Sequence, residues 1–339
     1  MRQTAISTVL ATTKQETDIP SWIETSVWSE RMLAALENGV KGGKWFSLID
    51  KVYAIPTLYA GWQQIKANKG AAGIDKISIA RFDTNADLYI RELHISLKNK
   101  TFKPNAVKRV YIPKSDGKQR PLGIPTVKDR IVQAAVKLVI EPIFEHEFLP
   151  MSYGFRPQRG CIDALREVQH YLQSGYTYVV DADMKSYFDS IPHNLLVQQL
   201  EKRISDGKLL ALVQLFLEQD VMDGTDCWTP IKGTPQGAVL SPLLANIYLH
   251  PLDKIITEQG LKMVRYADDF VILCHNQAEA EIALEQVRMW VETNGLNLHP
   301  DKTHLGDCRE HGQGFEFLGY RFEAGKHWVR SKSRLRVTR

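Results

Sequence analysis

The segment VRYADDFVILC, Val264 to Cys274, places two adjacent aspartates between two apolar runs. Valine, tyrosine, phenylalanine and isoleucine favour strands, so the segment predicts a hairpin with Asp268 and Asp269 at its tip. Two neighbouring carboxylates repel each other, and one of them ordinarily stays protonated. Aspartate is also a common turn residue, so a hairpin without any chemistry is one interpretation. The other is a Mg²⁺ site, which requires a third carboxylate from a second strand.

The segment YVVDADMKSYFDSI, residues 178–191, supplies that third carboxylate. Asp181 and Asp183 are two residues apart on a predicted central strand and therefore face the same side, whereas Asp189 lies beyond the strand. Only Asp183 is followed five residues later by an aromatic residue, Phe188. That spacing suits a nucleotide site in which the carboxylate binds metal and the ring packs under the sugar. Together with the hairpin, Asp183 would provide three carboxylates for two Mg²⁺ ions about 4 Å apart.

The 339 residues carry a net charge of only +4, with 44% hydrophobic and 24% charged residues, as in soluble globular proteins. The positive charge is concentrated in two blocks. The first block, from Lys98 to Arg130, contains ten Lys or Arg and two Asp. The second, from Tyr320 to Arg339, contains seven Lys or Arg and one Glu. Such blocks indicate contact with a polyanion, although a solvated charged face is the alternative.

The four cysteines are widely spaced and contain no C-x-x-C pair, which argues against a zinc site or a disulfide framework and favours a reducing compartment. The sequence shows neither a signal peptide nor an apolar run long enough to span a bilayer. We therefore expect a cytoplasmic protein without membrane contact, whose first 20 residues or so are poorly ordered.

Helical and strand patterns are mixed along the chain without regular βαβ alternation, which predicts an α+β fold. Helical patterning covers residues 21–68 and a glycine-punctuated loop follows at 68–75. The other predicted helices are 86–99, 128–148, 193–204, 207–218, an apolar helix after the KGTPQG loop, and 278–294. The other predicted β-segments are 105–114 and 120–124, joined by an SDGK turn, and Phe315–Phe322.

These motifs together resemble a group II intron-encoded reverse transcriptase and maturase. The family's palm motifs occur here in the same order: Asp183 with Phe188, then KGTPQGAVLSPLLANIYL, YADDF, LNLHPDKT and FEFLGY. The family's fingers are resembled by three upstream segments, NKGAAGID, RVYIPKSDGKQRPLGIPTVKDRIVQ and SYGFRPQRG. The resemblance covers about residues 55–330. It implies a right-hand polymerase. Its parts are a helical N-terminal extension with the start of the fingers (1–68), mixed helix and hairpin fingers (69–175), an RRM-like antiparallel-sheet palm between whose strands fingers helices can intrude (176–325), and a basic segment (326–339) leading toward a thumb into which this sequence does not continue.

The resemblance also implies roles for individual residues. Metal would be held by Asp183, Asp268, Asp269 and the Met184 carbonyl, as two Mg²⁺ ions for which Mn²⁺ can substitute. Lys302 would protonate the leaving pyrophosphate. The nucleotide would contact Lys114, Arg120, Phe188, Gln236 and Gly237. The primer grip would be Phe317, Leu318, Gly319 and Tyr320. Template contacts would be Lys108, Arg109 and Arg156, with a purely structural role for Arg156 as the alternative.

The implied function is RNA-directed DNA polymerisation with an RNA template, a DNA primer and dNTPs in a bacterial cytoplasm, coupled to intron RNA binding, splicing assistance and retromobility. One alternative is an RNA-binding maturase that mainly stabilises folded intron RNA, and another is a related bacterial reverse transcriptase used in phage defence. A protein that only binds RNA has no need to keep all of the predicted carboxylates and nucleotide-contacting residues. Their joint presence therefore favours a catalytic protein over a binding module. Phe188 disfavours an RNA-dependent RNA polymerase, which needs room for the 2′-OH. The sequence is either a fragment, which would hold a primer–template poorly, or a naturally short relative. In a short relative, a second copy in a homodimer, an RNA scaffold or a partner would have to clamp the duplex.

Overall fold

The computed structural model describes residues 19–113, 117, 119–300 and 302–329. Lys114, most of the predicted SDGK turn, the first 18 residues and the basic segment 330–339 lie outside the described residues. The mixture of helices and sheets confirms the predicted α+β class. Within the described chain, no helix combines the length and apolar character needed to cross a membrane.

The α-helices are α1 (Glu30–Asn38), α2 (Ile49–Val52), α3 (Ile55–Ala67), α4 (Ile79–Asp83), α5 (Ala86–Lys98), α6 (Val127–Glu145), α7 (Cys161–Gln173), α8 (Tyr187–Ser190), α9 (His193–Glu201), α10 (Gly207–Leu217), α11 (Ser241–Glu258) and α12 (Gln277–Thr293). The strands are β1 (Val107–Pro113), β2 (Gln119–Ile124), β3 (Tyr178–Asp183), β4 (Val221–Asp223), β5 (Asp226–Trp228), β6 (Lys262–Tyr266), β7 (Asp269–Cys274), β8 (His304–Asp307), β9 (Phe315–Phe317), β10 (Tyr320–Glu323) and β11 (Lys326–Val329).

A four-stranded antiparallel sheet in the order β6-β7-β3-β8 contains the carboxylates singled out in the sequence. Strand alternation divides its side chains between two environments. On β3 and β7, even-numbered residues such as Val180 and Ile272 join the main hydrophobic core, where α11 and α12 pack against the sheet, and odd-numbered ones face the other way. Odd-numbered residues such as Val179 and Leu273 join a second, smaller cluster with Phe315 and residues of α7. The aspartates of β3 and β7 therefore lie on the face opposite α12.

Helix α6 is the central helix of the main core. Thr126 caps its N-terminus by accepting a hydrogen bond from the Asp129 amide, as its position before an apolar run leads us to expect. Buried residues point in nearly every direction around the helix, because α2, α3, α5 and α11 all contact it. The Trp28 indole donates a hydrogen bond of 3.0 Å to the Leu138 carbonyl, which ties the N-terminal helices to α6. Each fully buried aliphatic side chain here contributes about 1.5–3 kcal/mol.

A second sheet has the order β2-β1-β4-β5. The β1–β2 hairpin pairs from Lys108 opposite Ile124 to Pro113 opposite Gln119. Strand β4, which the sequence analysis did not predict, joins β1 in parallel and forms a short hairpin with β5. The interval 176–325, expected to form the palm, thus contributes two strands to the sheet built on the predicted fingers hairpin. Three-residue strands carry too little periodicity to be recognised in the sequence.

The segment around FEFLGYRF differs from the prediction. It is not one β-segment but a hairpin, in which β9 and β10 pair on either side of a turn at Leu318 and Gly319, and β11 continues the sheet. Both turn residues have positive φ, 47° and 85° respectively. Residues 326–329 are correspondingly a strand, where the sequence analysis expected only a basic connecting segment. Stacking of Phe315 on Phe322, with ring centroids 5.1 Å apart, holds the hairpin closed.

Candidate active site

The two predicted carboxylate segments meet on neighbouring strands. Asp183, the last residue of β3, pairs with Asp269, the first residue of β7. Asp181 pairs with Val271, two residues further along both strands. The two aspartates of the hairpin are not equivalent. Asp269 begins the strand, whereas Asp268 lies in the turn after Ala267, so only Asp268 occupies the tip.

The turn before Asp268 is held by a buried arginine. Arg265 is 0% exposed, and its guanidinium forms a bidentate ion pair with Asp253, with N–O distances of 2.7 and 2.5 Å. It also donates to the Ala267 carbonyl at 2.9 Å, which fixes that residue at φ 60°. A Cβ on Gly154 would lie 2.3 Å from the Ala267 nitrogen. The SYGF segment therefore needs glycine at this position to pack against the hairpin.

A cavity of 640 Å³ opens over this edge of the sheet. The charged side chains that line it are Asp181, Asp183, Asp268, Asp269, Glu316, Lys302 and Arg321. Burial, followed by the charges of neighbouring carboxylates, raises the pKa of Asp269 from 3.8 to about 7. Burial also raises the pKa of Asp181 to about 7 and that of Asp268 above its ordinary value. The cavity therefore favours either protons or cations on these oxygens.

Basic and backbone groups of the protein already contact this carboxylate cluster. The Lys302 ammonium forms an ion pair with Asp183. The backbone N–H of Leu318 donates to Asp269, and that of Glu316 donates to Asp181. The β9–β10 turn, predicted as the primer grip, thus lies directly against the carboxylates. Phe317 packs into the smaller hydrophobic cluster, while Gly319 and Tyr320 continue the turn at its half-buried surface.

The residues predicted to contact the nucleotide form a hydrogen-bonded chain between the two sheets. The Arg120 Nε donates to the Gln236 Oε1 at 3.0 Å, and the Gln236 Nε2 donates to Asp189 at 3.0 Å. Gly237 has φ 105°, and a Cβ there would lie 2.5 Å from the Gly123 carbonyl oxygen, so the loop requires glycine. Phe188 is half-buried, and its carbonyl accepts from the Thr234 amide of the same loop at 2.6 Å.

Three other predicted positions have different surroundings. Lys108 is exposed on β1, and Arg109 lies over the Trp228 ring at 5.1 Å. The Met184 side chain is buried and its backbone pairs with Leu298, so the predicted metal contact of its carbonyl stays a prediction.

Arg156, predicted as a template contact with a structural role as the alternative, is enclosed by the protein. It is 7% exposed and its guanidinium bonds the Glu145 carboxylate and the carbonyls of Leu149 and Ser152. Leu149 and Ser152 belong to the loop that supports the Asp268 turn, and Glu145 is the last residue of α6. An arginine so enclosed has no donor left for a phosphate, and the structural alternative for GFRP is the one that its contacts favour.

The sequence analysis set aside two acidic residues that lie at the site. Asp181 lines the same cavity as Asp183. Its two-residue spacing from Asp183 predicts that both carboxylates face one side of the strand. Only Asp183, however, is followed five residues later by an aromatic residue, and the predicted site therefore leaves Asp181 out. Asp189 contacts Gln236 only because the TPQG loop folds back on the segment after β3. No local sequence signal identifies the contact between Asp189 and Gln236.

The donor set fits divalent cations in its chemistry. Mg²⁺ prefers hard oxygen ligands, and the cavity carries four aspartates against Lys302 and Arg321. Among the described residues, no group of three or more His, Cys, Asp or Glu side chains forms a ready-made metal cage. The raised pKa values of Asp181 and Asp269 reflect repulsion and burial that a bound cation would relieve. Asp183, Asp268 and Asp269 are the residues that would hold such ions, with Asp181 in the same cavity.

Comparison with known proteins agrees with this site. Residues 112–322 match the family model described as reverse transcriptase (RNA-dependent DNA polymerase). The chain is 33% identical over 309 residues to Protein YkfC of Escherichia coli (strain K12), covering 79% of each chain. It is 37% identical over 231 residues to the group II intron-encoded protein LtrA of Lactococcus lactis subsp. cremoris, covering 66% of this chain and 37% of LtrA. It is 27% identical over 214 residues to the mitochondrial Nuclear intron maturase 4 of Arabidopsis thaliana, covering 62% of this chain and 25% of that protein.

The chain thus spans little more than a third of LtrA and a quarter of the Arabidopsis protein. The match to the family model covers the end of β1, all of β2, the carboxylates of β3 and β7, and the β9–β10 turn. The predicted resemblance to group II intron-encoded reverse transcriptases is confirmed. The chain belongs to the reverse transcriptase family of RNA-dependent DNA polymerases.

Proposed function

We propose that this protein extends a DNA primer on an RNA template by metal-assisted nucleotidyl transfer. The observation that carries the proposal is the pairing of Asp183 with Asp269 beside Asp268, in a cavity whose charged lining is mainly carboxylate. Two divalent ions, Mg²⁺ or Mn²⁺ in its place, would supply the charge that activates the primer 3′-oxygen and stabilises the leaving pyrophosphate. The remaining steps are assigned to the chain's own residues.

The β9–β10 turn would position the primer end. Its Leu318 amide already donates to Asp269, which links the turn to the carboxylate. Packing of Phe317 in the smaller core makes the turn rigid, which keeps the attacking oxygen close to the metal-binding edge. Lys302 would then serve as general acid for the pyrophosphate. In the present arrangement its proton-bearing ammonium is held at Asp183, and the incoming triphosphate would compete for it.

Arg120, Gln236 and Phe188 would bind and select the nucleotide. The Arg120 guanidinium projects from the exposed β1–β2 hairpin and carries the positive charge that a triphosphate requires. Gln236 lies between it and the segment carrying Phe188. A half-buried aromatic ring at this place would exclude a ribose 2′-OH and so favour dNTPs.

We further propose that the polymerase acts on intron RNA and assists its splicing and retromobility. Support comes from the named relatives, an intron-encoded protein and an intron maturase, together with the basic residues of the 98–130 block. Lys108 and Arg109 lie on the same hairpin as Arg120 and add to its positive charge. A duplex or folded RNA would contact this hairpin through its phosphates.

The decisive experiment is primer extension on an RNA template with dNTPs and Mg²⁺, comparing the wild type with the Asp268→Asn, Asp269→Asn double variant. Preannealed primer–template at high concentration removes weak duplex binding as a cause of inactivity. Extension by the wild type alone supports the polymerase. No extension by either protein, with salt-sensitive binding of structured intron RNA retained, would instead support a maturase that acts by binding alone.

A further inference from the structure

A second cavity, of 290 Å³, lies where the end of α6, the end of α9 and the middle of α11 meet. It shares no lining residue with the carboxylate cavity. Its polar lining residues are Glu147, Gln199, Lys202, Arg203, His250 and Lys254. Nothing in the polymerase mechanism uses these side chains, so their convergence needs a separate explanation.

The charge of this cavity is positive. Lys202, Arg203 and Lys254 face a single acidic side chain, Glu147, which forms an ion pair with Arg203. Lys202 and Lys254 are exposed, and neither makes an ion pair among the residues that the structure describes. Two unpaired ammonium groups and one partly neutralised guanidinium around a small concave space create a site for an anion.

His250 provides an independent sign of a ligand. Its side chain is 8% exposed, lines the cavity, and has no hydrogen-bond partner on either ring nitrogen among the described residues. Burial, together with the charges of Lys254, Arg265, Arg156 and Arg203, lowers the pKa of His250 to about 4. The imidazole is therefore neutral at pH 7 and has one N–H to donate. Buried polar groups almost always have a partner, and an unmatched one is costly.

Phe148 holds the His250 ring in place. The two rings meet edge to face with centroids 5.5 Å apart. This contact restricts the imidazole, which forms part of the cavity wall. Gln199, on the facing helix α9, adds a neutral amide donor. Donors that converge from two helices onto one small space suit an oxyanion with several acceptor oxygens.

We propose that this pocket binds a phosphate group, with His250 and Gln199 as neutral donors and Lys202 and Lys254 as charge partners. The net charge of the lining side chains is +2, from three basic residues and Glu147. A phosphate ligand balances that charge better than a carboxylate ligand does. The group can come from a nucleic-acid backbone or from free phosphate or nucleotide, which share this chemistry. The carboxylate cavity would play no part in binding it.

The test uses the full-length protein with its histidines labelled with ¹⁵N, the His250 ring signals being assigned with His250→Gln. Inorganic phosphate is titrated in one arm and a short single-stranded RNA in the other. We expect the His250 signals to move with phosphate and the pKa of the imidazole to rise, because a bound anion favours the protonated ring.

The matched variants remove equal charge at two places. Lys202→Ala with Lys254→Ala should weaken phosphate binding at least about tenfold. Lys69→Ala with Lys76→Ala, exposed and beside the opposite, N-terminal end of α6, should leave it unchanged. His250→Gln should lower affinity while thermal unfolding shows that the protein is folded. A response to RNA that also depends on Lys202 and Lys254 identifies a backbone phosphate, and a response to phosphate alone identifies a free ligand. If the His250 signals stay in place in both arms, or both lysine pairs matter equally, the phosphate pocket is disproved.

Discussion

The side-chain amide of Gln236 donates a hydrogen bond of 3.0 Å to the carboxylate of Asp189. That bond determines the orientation of the amide, because only its nitrogen can donate to a carboxylate. The amide oxygen is thereby turned toward Arg120, whose Nε donates to it at 3.0 Å. Asp189 therefore orients Gln236, a residue predicted to contact the nucleotide, and we expect it to act as a positioning residue.

We expect Asp189→Ala to raise the KM for dNTP by about tenfold with little change in kcat, since Gln236 and Arg120 lose their fixed orientation. Asp189→Asn should retain most of the wild-type KM, because its amide oxygen still accepts from Gln236. Asp226→Ala, at an exposed position of β5, serves as the control for loss of an acidic side chain. Steady-state primer extension at varied dNTP checks this. Equal KM values for the alanine variant and the wild type would remove the positioning role.

The carboxylates on β3 should differ in importance. Asp183→Asn should reduce kcat by at least about 10³-fold, because loss of a metal ligand removes several kcal/mol of transition-state stabilisation. Asp181→Asn should reduce kcat less, by about tenfold, since Asp181 pairs with Val271 and not with a carboxylate, two residues along the strand from the Asp183–Asp269 pair. Single-turnover extension separates the two. A larger loss at Asp181 than at Asp183 would reverse the assignment.

The ring of Phe188 should govern sugar selection. Phe188→Ala should raise the ratio of rNTP to dNTP incorporation by about tenfold or more, because the alanine leaves room for a 2′-OH. Tyr187→Phe is the neighbouring control: it keeps the aromatic packing and removes only the hydroxyl that donates to the Ala245 carbonyl. Competition between the two nucleotides at a single template position measures the ratio. No increase in the alanine variant would eliminate the gate.

The stability of the metal-free protein should depend on pH through the carboxylate cluster. The pKa values of Asp181 and Asp269 rise from 3.8 to about 7 on folding, so the folded state binds more protons than the unfolded state between these values. Stability therefore falls as pH rises through that window. Mg²⁺ competes with these protons and should raise the Tm more at about pH 8 than at about pH 5.

The control for this pH dependence is the Asp181→Asn, Asp269→Asn double variant. Its Tm should vary less over the same range and should respond less to Mg²⁺, because the amide side chains bind no proton. Differential scanning fluorimetry with and without EDTA makes the comparison. An identical pH profile for the wild type and the double variant would show that other groups cause the dependence.

The buried Arg265–Asp253 pair should be the most sensitive point of the support beneath Asp268. Arg265→Met leaves the Asp253 carboxylate buried without its partner and should destabilise the protein by about 3–5 kcal/mol. Arg288→Met breaks an exposed ion pair with Glu285 at 3.9 Å and should change stability by less than about 1 kcal/mol. Urea unfolding gives both values. Similar losses in the two variants would show that the buried pair does not stabilise the hairpin.

The amino-acid sequence by itself determined the elements that depend on local periodicity. The hairpin at 262–274, the strand at 178–183 and the helices α6, α9, α10 and α12 follow from alternation or helical spacing within one segment. The pairing of Asp183 with the Asp268–Asp269 hairpin was also predictable, because two acidic residues that repel each other require a cation and hence a further carboxylate.

Tertiary structure alone decided the surroundings of several residues far apart in the chain. Asp181 and Asp189 gain their roles from contacts with Glu316 and Gln236, and Arg156 is enclosed by carbonyls that a linear motif does not reveal. The short strands β4 and β5 are stable only because β1 offers an edge for pairing. Contacts of this kind depend on loop closure and on burial in a shared core, and neither quantity is encoded in the spacing of residues within one segment.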